Sequence, residues 1–265
     1  MYPMKNSVLI ITDLEGITGV YTIDQIPQDS PGYAEACRFL MADTNAAVDG
    51  AFAAGAEKVY VVDGHGSGKN FPENTLDPRA VRLFLPEMHS VINEIGAVMQ
   101  VGAHAKSGTM LGFLDHTQSS VKIHDYRYNG IPFGEMEQIG LYTGHYGIPN
   151  VMLSGDRTAC EEAEKSFPGI RTAVVKTADS RNHADCLPEE EALLLIRQAA
   201  YDGFMARGEI APFKFPLPIT IEVEFNRADY CEEACSGNSA IERIDARTAR
   251  MVKTGITDFY SILLR

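Results

Sequence analysis

Two carboxylates, Asp13 and Glu15, close the apolar run Val8-Leu9-Ile10-Ile11-Thr12. Side chains alternate along an extended chain, so residues two apart point the same way. Both acids are therefore expected to face one spot past the carboxyl end of a strand, where open α/β sheets bind their ligands. Two later apolar runs end in histidine, Val59-Tyr60-Val61-Val62-Asp63-Gly64-His65 and Ala97-Val98-Met99-Gln100-Val101-Gly102-Ala103-His104. A third source of acid is Gly134-Glu135-Met136-Glu137. On a helix Glu135 and Glu137 diverge by roughly 200°, so one of them, not both, joins the set.

Mixed carboxylate and imidazole ligation suits Zn²⁺, and also Mn²⁺ or Fe²⁺. Asp13, Glu15, His65, His104 and one of the two glutamates exceed the three ligands of a single catalytic zinc. That surplus points to a paired site, in which one carboxylate bridges two ions. His116 lies in a loop-like stretch, Leu114-Asp115-His116-Thr117-Gln118-Ser119-Ser120. Such a loop at the carboxyl side of the sheet places an imidazole where it acts as an acid–base or oxyanion-stabilising group. His89, His124 and His145 read as surface residues.

Alternating strand-like and helix-like runs have to position these groups. After the first strand, Ser30-Pro31 offers a helix N-cap and a proline at N1. The helix is expected to run to about Ala54, burying Phe39, Leu40, Val48 and Phe52, with Gly55 ending it. Strands follow at 58–62 and 97–102, both nearly continuous apolar runs of the buried parallel kind. Residues 121–128 alternate ahead of Asn129-Gly130, a hairpin signal. A helix over 134–146, a strand over 150–154, a helix over 158–167 and a strand over 172–175 complete an α/β series. The expected fold is a mostly parallel sheet with helices on both faces, plus a smaller C-terminal α+β subdomain. Pro188 opens a helix rich in Glu at its start, favourable at the positive end of the dipole. After the break at Pro212, Pro216 and Pro218, residues 219–225 alternate strictly as a half-buried antiparallel strand. The catalytic domain is thus assigned to 1–185 and the subdomain to 186–265, the boundary falling between 180 and 212.

Composition sets outer limits. The chain has 265 residues, 45% of them apolar and 22% charged, ordinary for a globular protein. A net charge of −13 argues against nucleic acid or an anionic membrane as partner. No apolar run approaches the ~20 residues that span a bilayer, and the amino-terminal run is shorter than a signal peptide's core of ~7–15. The expected location is the cytoplasm. The five cysteines contain no CxxC pair, which suits inert thiols in a reducing compartment.

The ordered motifs Asp13-Leu-Glu15-Gly16, Asp63-Gly-His65, Gly102-Ala-His104-Ala and Asn129-Gly-Ile-Pro-Phe-Gly-Glu135 resemble the zinc D-aminopeptidases of the bacterial dipeptide-transport type. The likeness extends to Val151-Met-Leu-Ser-Gly-Asp156, Ala173-Val-Val-Lys176 with Ser180-Arg181, and Lys253-Thr-Gly255, and so covers most of the chain. It implies two zinc ions bridged by Asp13, with Glu15 and His65 completing one shell and His104 and Glu135 the other. It also implies that His116 is the catalytic histidine and that the chain forms homo-oligomers. Two positions depart from the pattern. Asp115 precedes His116, and an adjacent carboxylate favours the charged imidazolium; Glu137 stands where a glycine is familiar.

The activity expected is hydrolysis of the amino-terminal residue, a D-amino acid, from short peptides or amino-acid amides by a metal-activated water. Two rivals fit parts of the pattern. A Mg²⁺-dependent phosphohydrolase of the haloacid-dehalogenase kind also ends its first strand in aspartate with a second carboxylate two residues on, and Ser154-Gly-Asp156 with Glu161 resembles its late acidic motif. A non-catalytic protein that binds metal and peptide without cleaving is the other.

Overall fold

The computed structural model describes residues 5–264. Its first strand, β1 (Ser7–Thr12), is buried from Val8 onward, as in a strand covered on both faces. Period two divides its side chains. Val8 and Ile10 enter one apolar core, Leu9 and Ile11 another. Burying each such side chain contributes about 1.5–3 kcal/mol. A one-residue slip would also send Asp13 and Glu15 to the opposite face.

Helix α1 (Tyr33–Ala53) follows, then β2 (Lys58–Asp63), the short β3 (Val81–Leu83), a single turn α2 (Met88–Val91) and the long β4 (Ile95–Ala103). The helix starts later than expected, with Gly32 at its cap. Ser30 and Pro31 instead form a turn in which the Ser30 carbonyl accepts from the Tyr33 N–H at 3.3 Å. Phe39 and Phe52 are only half-buried, because the inward stripe runs through Ala36, Leu40, Ala47 and Val48.

The hairpin β5 (Ile123–Tyr128) and β6 (Ile131–Pro132) turns at Asn129 and Gly130, both with positive φ as a type I′ turn requires. Helix α3 (Glu135–His145), β7 (Asn150–Asp156) and α4 (Arg157–Ser166) lead to β8 (Arg171–Ser180), longer than the sequence suggested, and the antiparallel edge strand β9 (His183–Cys186). Helix α5 (Glu189–Met205), β10 (Ile219–Phe225), α6 (Ala228–Cys235), β11 (Ile241–Arg243) and β12 (Thr248–Lys253) complete the chain. A final 3₁₀ turn spans Phe259–Ile262.

Seven strands form the main sheet in the order β3-β2-β1-β4-β7-β8-β9, all neighbours parallel except β8 and β9. The order reverses between β1 and β4, the switch point at which such sheets open a crevice. Helices α1 and α5 cover one face. On the other, α4 packs on Leu153 and Ala103, and a continuous core joins Leu9, Tyr60 and Val62 to Tyr126, Ile221 and Val223 of the second sheet. That second sheet is antiparallel, in the order β11-β12-β10-β5-β6. It draws β5 and β6 from before residue 185, while α5, from after it, lies on the main sheet.

Candidate metal centre

The crevice at β1, β2 and β4 is a cleft of about 510 Å³. Asp13 and Glu15 follow β1, His65 follows β2, His104 follows β4 and Glu135 opens α3. All five line the cleft, and so does His116. The six fall into two groups with converging donor atoms: Asp13, Glu15 and His65, and His104, His116 and Glu135.

In the first group His65 Nδ1 lies 3.0 Å from both Asp13 Oδ1 and Glu15 Oε2. In the second, His104 Nε2 lies 3.2 Å from Asp13 Oδ2 and 3.6 Å from Glu135 Oε1. The two oxygens of Asp13 thus face different histidines. His116 Nε2 stands 4.0 Å from Glu15 Oε1 and 3.8 Å from Glu135 Oε1, its ring stacked on His104 with centroids 4.0 Å apart. Each ring is fixed by its other nitrogen. His104 Nδ1 bonds the Ala105 carbonyl at 2.9 Å and His116 Nδ1 the Leu114 carbonyl at 2.8 Å. Both therefore present Nε2 to the cleft.

Close backbone packing sets these distances. The Asp13 N–H donates to the Val101 carbonyl and the Gly16 N–H to the Gly102 carbonyl, both at 2.8 Å. A Cβ on Gly16 would sit 2.1 Å from the Ala103 carbonyl oxygen, and one on Gly102 would sit 2.3 Å from that of Asp13. Gly102 also has φ +78°, where side chains are strained. These two glycines let the acid-bearing loop press against the strand that delivers His104.

The arrangement fits a cation. Ligands ~2.0–2.2 Å from a tetrahedral ion stand about 3.3–3.6 Å apart, close to the separations seen. Glu15 Oε2 and His104 Nε2 are buried without a hydrogen-bond partner, although charged atoms lie near. One belongs to each of the two groups of converging donor atoms. Burial by itself would raise Glu15, but His65, His104 and His116 hold it well below the ordinary carboxylate range. Burial works against the charge on His65, yet Glu15 and Asp13 push it up to about 11. His104 is likewise raised by Asp13 and Glu135 against its own burial. The three carboxylates demand positive charge, which protons provide when no metal does; metal binding then releases protons.

Glu137 does not face the cleft. It is buried and accepts from the Gly134 N–H at 2.8 Å and from Ser166 Oγ at 2.7 Å, which caps α3. Burial raises its pKa. Asp115 also differs from expectation. Its carboxylate is engaged by the Arg181 Nε at 3.0 Å and the Gly108 N–H at 2.7 Å, so Arg181 already balances its charge. His89, His124 and His145 are exposed, as read from the sequence.

Several supporting residues had no assigned role. Asn70 donates its N–H and Nδ2 to Asp63 and Nδ2 again to the His65 carbonyl, bracing the β2 turn. The Gln118 N–H donates to Glu135 Oε1 at 2.8 Å. Lys176, fully buried, donates to the carbonyls of Glu15 (2.7 Å) and Val20, tying down the loop after β1. Burial lowers its pKa to about 8. A lysine ending the apolar run Ala173-Val174-Val175 was the available signal.

An α/β crevice whose strand ends present paired carboxylate and imidazole groups is the framework of a metal-assisted hydrolase. The model of the D-aminopeptidase family of peptidases matches residues 4–264, and the chain belongs to that family. A D-aminopeptidase of Bacillus subtilis (strain 168) is 26% identical over 219 residues, covering 80% of this chain and 79% of the relative. The fold is that of a solved structure described as the Zn-dependent D-aminopeptidase DppA from Bacillus subtilis, a self-compartmentalizing protease. The TM-score is 0.91 at 22% identity, over 97% of this chain and 94% of the other. The protein is a metallo-aminopeptidase. The phosphohydrolase alternative fails on the same grounds. Asp156 is buried as the N-cap of α4, accepting from the N–H and Oγ1 of Thr158, and Glu161 lies exposed outside the cleft.

Proposed function

We propose that the chain removes an amino-terminal D-residue from short peptides or amino-acid amides, using two zinc ions per chain bridged by Asp13. The observation that carries this reading is the division of the Asp13 carboxylate, Oδ1 toward His65 at 3.0 Å and Oδ2 toward His104 at 3.2 Å. Asp13, Glu15 and His65 would hold one ion, and Asp13, His104 and Glu135 the other. Glu15 Oε2 is 3.0 Å from His65 while its Oε1 is 4.0 Å from His116, and Glu135 Oε1 faces His104 at 3.6 Å, so each is assigned to one ion by its nearer histidine. When bound, the ions polarise a carbonyl and make water acidic near neutral pH.

The chain's own groups do the rest. His116 is fixed through Nδ1, so its Nε2 alone faces the reacting centre. There it stabilises the oxyanion or delivers a proton to the leaving amine. Excess carboxylate favours a substrate with a free, positively charged α-amino group. The five free thiols suit the cytoplasm, and no helix among the described residues is long and apolar enough to cross a membrane. The self-compartmentalizing relative supports a homo-oligomer here too.

The test is metal analysis and hydrolysis of matched D- and L-aminoacyl amides and dipeptides after reconstitution with Zn²⁺ or Mn²⁺. Two equivalents of zinc and faster turnover of the D-series are expected. One equivalent at full activity removes the bridging role, and equal or better L-turnover removes the D-assignment. Tight binding of both series without cleavage would establish a binding protein instead.

A further inference from the structure

We infer that Arg181 is a positioning residue for His116 and works through Asp115, an inference that rests on the catalytic role proposed for that histidine. Residues 106–120 contain no helix or strand. Three bulky residues there, Leu111, Leu114 and Gln118, have positive φ of 60°, 51° and 64°. Such conformations are strained and persist only where neighbours impose them. Something outside the loop must hold it.

Arg181, the residue directly after β8, supplies three of the contacts. Its carbonyl accepts from the Leu114 N–H at 2.7 Å. Its Nη2 donates to the Asp115 carbonyl at 3.1 Å, and its Nε faces Asp115 Oδ1 at 3.0 Å. The second carboxylate oxygen, Oδ2, accepts from the Gly108 N–H at 2.7 Å and so closes the loop on itself. One residue on a rigid strand end thus grips both residues preceding His116. The imidazole stacks on His104 and the His116 N–H donates to the Ala105 carbonyl at 3.3 Å, but the one hydrogen bond of the ring itself runs from Nδ1 to the carbonyl of Leu114, one of the gripped residues. Moving Leu114 or Asp115 therefore moves Nε2 relative to Glu15 and Glu135.

Arg181 is 44% exposed but Asp115 only 12%, so the carboxylate still needs a partner when the guanidinium is removed. Glutamine at 181 keeps an amide donor for it, and Tm and zinc content read beside kcat separate a kinetic defect from a folding defect. Lysine could keep the charge on Asp115 but not the two-pronged fork that spans the carboxylate and the carbonyl.

The experiment compares Arg181→Gln, Arg181→Lys, Asp115→Asn and His116→Ala in the full zinc-reconstituted chain. Arg181→Gln is expected to lower kcat roughly 10–100-fold, the cost of misplacing a catalytic group by about 1 Å, with KM, zinc content and Tm near wild type. Arg181→Lys should fall between. Combining Arg181→Gln with Asp115→Asn should be no worse than either alone, and Arg181→Gln should add nothing to His116→Ala. The NMR signal of the His116 Nδ1 proton, protected from solvent exchange by its hydrogen bond to the Leu114 carbonyl, should be lost in Arg181→Gln. Wild-type kcat in Arg181→Gln, a loss that tracks zinc content or Tm, or additivity with His116→Ala would overturn the inference while leaving the function intact. Undiminished activity in His116→Ala would overturn the role of that histidine and the clamp with it.

Discussion

Asp13, Glu15, His65 and His104 leave the ends of three adjacent parallel strands, whereas His116 hangs on a loop with no regular structure. The first group inherits its geometry from the sheet. β1 pairs in register with β2 up to Thr12 and Asp63, and with β4 up to Thr12 and Val101, so the groups beyond those pairs cannot drift apart. His116 inherits nothing comparable and depends on Arg181, Ala105 and Leu114 through individual hydrogen bonds. On the proposed assignment the strand ends, joined by Glu135 of α3, would hold the cations, and the loop would carry the group that handles protons. A sheet-built group should be hard to move without losing metal, while a loop-built group should be movable with the metal in place.

Removing Asp13 tests the first half most severely. Asp13→Ala should release zinc from both groups and lower kcat/KM on the order of 10⁴-fold or more, read by metal analysis alongside kinetics. Loss of only one equivalent would break the comparison, because it would make the two groups independent. His116→Ala should lower kcat roughly 10²–10⁴-fold and leave zinc stoichiometry unchanged. Zinc lost from this variant would put His116 among the ligands and erase the distinction between strand and loop.

Smaller effects sharpen the boundary. Glu137 sits two residues from Glu135 yet caps α3, so Glu137→Ala should cost about 1–3 kcal/mol in denaturant unfolding while zinc content stays intact. Asp43 on α1 accepts from the Thr18 N–H at 2.9 Å behind the acid-bearing loop. Burial raises its pKa to about 7. Between its unfolded value near 4 and 7, the native state alone keeps the proton. Stability from this group is thus full below about pH 4 and is lost as pH rises through 7. Asp43→Asn should flatten that part of the stability–pH curve by up to about 1 kcal/mol per pH unit. An unchanged curve would show that the loop after β1 is not coupled to this buried acid.

The sequence made the strand-borne part legible for a local reason. An apolar run that stops at Asp13, His65 or His104 marks both the strand and the group at its end, and alternation puts Asp13 and Glu15 on one side. The Asn129-Gly130 turn and the strict alternation of 219–225 were readable in the same way. Loop-borne relations were not. Nothing within a few residues of His116 shows that Asp115 turns to Arg181, 66 positions away, or that Gln118 donates to Glu135. The partnership of β5 with β10 is equally remote, since an alternating strand specifies a face but not the strand beside it.

By itself, then, the sequence determined the donor types, the strand ends that carry them and the α/β class, because periodicity and chemical type are local properties. Only the tertiary structure decided that Asp13 divides its oxygens between two histidines, that Glu137 turns away to cap α3, and that Lys176 lies buried beneath Glu15. Each of these depends on strand order and on backbone approaches of a few ångströms between segments far apart in the chain. Such distances follow from packing the whole molecule.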